Sequence, residues 1–63
     1  MNARALVVSA REALARASAY GDRWAATDDD EAYAACWAEM IVARVLAELA
    51  RLTAAEQDEE PAA

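Results

Sequence analysis

The chain has 63 residues, a mass of 6.8 kDa, 12 acidic against six basic side chains and a net charge of −6. It contains no histidine, no lysine, one glycine and one cysteine. These counts exclude a histidine general base, a Schiff-base or phosphate-binding lysine, a glycine-rich phosphate loop, an internal disulfide and a multi-cysteine zinc site. The chain is too short for more than one domain. Of its 37 hydrophobic residues 20 are alanine, which leaves 16 large apolar or aromatic side chains besides Cys36. A lone fold of this size buries only about 60% of its unfolded surface, so a rigid monomer is marginal.

Ala, Leu, Arg and Glu dominate, all good helix formers, and the only proline is Pro61. The reading is all-α: a single domain over residues 1–57 made of two antiparallel helices. Asn2 is a suitable N-cap for a first helix over about residues 2–20. Ala3, Leu6, Val7, Ala10, Ala13, Leu14, Ala17 and Tyr20 form its apolar stripe at spacings of three and four. Glu12 and Arg16 form an i,i+4 pair. Gly21 is the natural stop, because it enters the left-handed conformation without a Cβ clash. The alternative, a helix that runs through Gly21 to Trp24, fits the periodicity equally well.

Residues 21–27 are read as the connection. In Thr27-Asp28-Asp29-Asp30-Glu31, Thr27 or Asp28 can cap a second helix, and Asp28 with Glu31 has capping-box spacing. The remaining carboxylates sit on the positive end of the helix dipole. The second helix spans about residues 29–57. One face collects Ala34, Ala38, Ile41, Val42, Val45, Leu49 and Leu52, with Trp37 on its flank. The far side carries Cys36, Met40, Ala43, Ala47 and Ala50 where charges are usual. That small-residue back either lets a second helix approach closely or reflects alanine bias. The acidic end, residues 58–63, opposes the dipole and contains Pro61, so a disordered tail is expected.

Counted from Gly21 as the turn, antiparallel packing leaves Leu49 and Leu52 projecting beyond the first helix. That overhang predicts a homodimer, a four-helix bundle with Leu6, Leu14, Ile41, Val45, Leu49 and Leu52 as candidate core. Charge divides unevenly, +2 over residues 1–24 and −8 over residues 25–63. Antiparallel geometry sets the acidic turn near Arg23 and the acidic tail near Arg4. Asp28, Asp29, Asp30 and Glu31, with Trp24, Tyr33 and Trp37, are the candidate partner-binding residues, acids for steering and aromatics for anchoring. Tyr20 belongs to the same aromatic group, whose plainer role is to close the turn end of the bundle. The acidic run lacks the glycine and ligand spread of a calcium loop. Glu39 and Glu48 lack the histidines of a di-metal helix site. Cys36 sits too far into the helix for strong activation and reads as structural.

No catalytic, cofactor or metal residues are expected. The expected function is a non-enzymatic, acidic protein–protein interaction module that occupies a basic or nucleic-acid-binding surface of a larger partner. In size and charge this is analogous to small phage-encoded inhibitors of host defence, anti-CRISPR proteins included. The other expectation is a self-assembling structural module. Direct nucleic-acid binding is disfavoured by the sign of the charge. No stretch reaches the ~20 apolar residues of a membrane span, Arg4 and Arg11 interrupt any signal sequence, and one cysteine fits a cytoplasmic setting. Arginine as the sole base and abundant alanine point to a GC-rich bacterial or phage genome.

Overall fold

The computed structural model describes residues 2–59, with side chains through residue 57. Two α-helices pack against each other, α1 Ala3–Thr27 and α2 Asp30–Glu59. At 1.5 Å per residue they are about 37 and 45 Å long. Asn2 caps α1, its Oδ1 accepting the Ala5 N–H at 2.8 Å.

α1 does not stop at Gly21. It continues through glycine for six more residues, beyond even the alternative end at Trp24. A glycine costs a helix interior only about 0.5–1 kcal/mol, and continuous helix on both sides outweighs that. The stop falls at Asp28, which takes the left-handed conformation (φ 55°, ψ 37°) and donates its N–H to the Trp24 carbonyl at 2.7 Å. The Thr27 hydroxyl turns back into α1 and donates to the Arg23 carbonyl at 2.7 Å. The capping role expected of Thr27 or Asp28 therefore belongs to Asp29. Its Oδ1 accepts the Glu31 N–H at 3.0 Å, and its carbonyl accepts the Tyr33 N–H at 3.1 Å. The connection is two residues, Asp28 and Asp29, instead of seven. Backbone helix continues through Asp58 and Glu59, which the expected disordered tail had included. Residues 60–63, and the side chains of Asp58 and Glu59 expected near Arg4, lie outside the described residues.

The shorter connection changes the register. Ala3, Val7 and Ala10 line one groove with Ala54, Ala50 and Ala47. Leu49 and Leu52 precede Ala54, so they lie alongside α1 and do not overhang it. The core is unusually small in its parts. Leu6, Ala10, Ala13 and Ala17 of α1 and Ala32, Ala43 and Ala50 of α2 are buried, Ala13 completely. Ala3, Tyr20, Cys36, Glu39, Leu46 and Thr53 are half-buried around them. Both sets step by three and four: 3-6-10-13-17-20 on α1 and 32-36-39-43-46-50-53 on α2. This is the heptad spacing of a coiled-coil seam. Alanine at these positions lets the two backbones approach, as the small-residue back of the second helix allowed. The stripe chosen from its Ile, Val and Leu content faces away from α1.

Candidate interaction surface

A buried leucine contributes about 1.5–3 kcal/mol, whereas a buried alanine methyl contributes roughly 0.8 kcal/mol. The hairpin buries one leucine and six alanines, and leaves twelve large apolar or aromatic side chains exposed. Of the six expected dimer-core residues only Leu6 is buried within the hairpin. Leu14 (54% exposed), Ile41 (60%), Val45 (53%), Leu49 and Leu52 all face outward. Soluble monomers rarely leave so many large apolar side chains open in so small a chain.

Three parts of this surface are distinct. The first is the turn end. Trp24 and Tyr33 meet at 4.9 Å between ring centroids with a 50° tilt, and Tyr33 and Trp37 meet edge-on at 6.4 Å. All three rings are exposed. Tyr20 does not join them; it is half-buried and lines a polar hollow on the other side with Arg23 and Asp29. The four acids divide as well. Asp29 is half-buried, occupied by its capping bond and paired with Arg23 at 3.4 Å. Asp28, Asp30 and Glu31 are exposed.

The second part is the outer face of α2. Ala38, Val42, Val45, Leu49 and Leu52 step by four, three, four and three, a second heptad row beside the one that meets α1. Ile41 stands at its edge as the most exposed large apolar side chain. Between Glu31 and Glu56 the only charges on α2 are Glu39, Arg44, Glu48 and Arg51, which sum to zero. Glu39 is not on the open face. It is held across the interface by Arg16, Nε to Oε2 at 2.9 Å, in place of the Glu12–Arg16 pair expected within α1. Arg51 hydrogen-bonds and pairs with Glu48, which holds the Glu48 carboxyl below, and the Arg51 guanidinium above, their ordinary pKa values.

The third part is an open groove along the opposite flank of α2. Its floor is Val7 and Leu14 from α1 with Met40 and Ala47 from α2, over the buried alanines. Arg11 stands on one rim, and Arg44 and Arg51 on the other. Among the described residues no carboxylate lines it. The sequence offered a signal for this groove, the seven-residue spacing of Val7 with Leu14, which the expected stripe of the first helix merged with the core.

Cys36 is a free, half-buried thiol beside Gly21. Among the described residues no group of three or more Cys, Asp or Glu could hold a metal ion. No described helix is long and apolar enough to cross a membrane. Comparison of the chain with protein-family models, with curated proteins and with solved structures yields no match in any of the three.

Proposed function

We propose that this protein is a non-enzymatic helical interaction module whose first partner is a second copy of itself. The observation that carries this reading is the second heptad row on α2. A helix that is apolar on most of its circumference belongs inside an assembly. Two hairpins joined through Val42, Val45, Leu49 and Leu52 form a four-helix assembly of the bundle kind, with the α2 helices innermost. Charge supports the choice of a second copy. Two chains of net −6 meet here over a stretch that sums to zero, with their acidic blocks at either end.

The test is sedimentation at micromolar concentration with thermal melts over a dilution series. The dimer mass and a melting temperature that falls on dilution are expected. Val45→Asp and Leu49→Asp should give the monomer mass, because each buries an unpaired charge in the joint. A folded native monomer at high concentration, melting independently of dilution, overturns the reading.

One observation favours a second reading, docking of the turn end onto a basic surface of a larger protein as an inhibitor would. Exposed Asp30 precedes Tyr33 by three residues and Trp37 by seven on α2, so a steering carboxylate and the anchoring rings share one face at the turn end, whereas Glu31 lines the hollow beside Tyr20. Such a complex should weaken steeply with added salt and lose most of its affinity with Trp37→Ala. The apolar self-joint should not weaken with salt.

A further inference from the structure

We infer that the groove between α1 and α2 receives a third helix whose apolar stripe is flanked by carboxylates. The site rests on the interaction-module reading but uses the flank of α2 away from the self-joint. Its floor, Val7, Leu14, Met40 and Ala47, is exposed in the hairpin and wholly apolar. From Met40 to Ala54 it follows α2 for about 21 Å, the length of four helical turns. Floors of this kind take one face of an amphipathic helix through side chains at i, i+3, i+4 and i+7.

Charge decides which helix fits. Arg11 and Arg44 rise on opposite rims and, among the described residues, neither makes an ion pair. Arg51 stands on the same rim as Arg44, two turns further along α2, and is paired with Glu48, whose charge Arg44 also feels without a direct ion pair. Two copies meeting groove to groove would bring these arginines together, so the groove does not favour self-pairing. A helix with acidic residues on both borders of its apolar stripe would set carboxylates against both rims. The local preference is then opposite to the molecule's net charge: an acidic protein with a site for an acidic helix.

The experiment uses the full chain and two labelled synthetic three-heptad peptides. Both have Leu at positions a and d. One carries Glu, the other Lys, at e and g. Fluorescence anisotropy reads their binding at physiological salt, and circular dichroism checks each variant's fold. The Glu peptide should bind at least tenfold more tightly than the Lys peptide, although the net charge of −6 favours the reverse. Leu14→Glu should weaken the Glu peptide tenfold or more. The double variant Arg11→Glu, Arg44→Glu should invert the order. A Lys peptide bound as well as the Glu peptide, or unchanged binding in Leu14→Glu, overturns the inference. So does conversion of the native dimer to monomer by Leu14→Glu, because a second copy would then fill the groove. Val45→Asp, which tests the self-joint, should leave the preference for the Glu peptide in place.

Discussion

At the scale of single residues, the turn and the glycine decide the register. Gly21 lies within α1, and a Cβ built there meets Cys36 Sγ at 3.6 Å, an ordinary contact. Gly21→Ala should therefore stabilise the protein by about 0.5–1 kcal/mol, through the reduced freedom of the unfolded chain and better helix propensity. A melt should register this as a rise of several degrees; a fall would mean that the Cys36 contact is tighter than it looks. Asp29 is the reverse case. Its side chain satisfies a free N–H of α2, so Asp29→Ala should cost about 1 kcal/mol. Asp29→Asn should cost much less, since the amide oxygen still caps. Asp30→Ala, without a capping bond, should fall below either in a denaturant titration. The sequence placed the start of the second helix within a residue or two. It did not reveal which acid caps, because Thr27, Asp28 and Asp29 are all able acceptors and only backbone conformation separates them.

At the scale of the element, helix content was legible and the choice of face was not. Propensity and caps give two helices without ambiguity. Ranking faces by hydrophobicity selects Ile41, Val42, Val45, Leu49 and Leu52, since each outweighs an alanine in transfer free energy. The seam selects Ala43 and Ala50, because close backbone approach rewards small side chains. Both rows have heptad spacing, so periodicity alone cannot choose. The acidic cluster was likewise legible, whereas the groove with its arginines emerges only once α1 and α2 are set in register. A reversal of the usual ranking follows. Ala13→Leu should destabilise by about 1–3 kcal/mol, because Ala13 has no free surface and the added methylenes must push the helices apart. Leu14→Ala, at a neighbouring exposed position, should have a smaller effect on the hairpin. Chemical denaturation of the two variants measures the difference; equal losses would contradict the alanine seam. Arg16→Asp sets a second carboxylate against Glu39 and removes a pair worth about 0.2–1 kcal/mol at half-exposed positions, a modest loss that should shrink with salt.

For the molecule as a whole, the hairpin is closed mainly by alanine, with Leu6 buried among them, and most of its larger apolar side chains are left open to partners. Leu14, Ile41 and Leu49 were expected to be core. Their exposure in the hairpin means that an aspartate there acts on association before it acts on the fold. Ile41→Asp, at the edge of the second heptad row, should therefore shift the dilution midpoint of the native dimer upward. At concentrations where both proteins are monomeric, their helical signals should match. A helical signal already lost by the Ile41 variant under those conditions would place Ile41 inside the hairpin's own core.

The left-handed Asp28 is also the point at which the two helices are kept from being one. If its backbone relaxed into the right-handed helical region, α1 and α2 would join into one rod over residues 3–59, about 85 Å long. Two such rods, laid antiparallel, could remake every alanine contact between α1 of one chain and α2 of the other. Hairpin and exchanged rod would then differ at only one or two residues per chain, and short connections are where such exchange begins. Asp28→Gly lowers the cost of the bend and should hold the hairpin. Asp28→Ala raises that cost, favours continuous helix and should lengthen the particle seen by small-angle scattering as concentration rises. The same maximum dimension for both variants at every concentration would show that the seam, and not the bend, decides which chain each helix folds against.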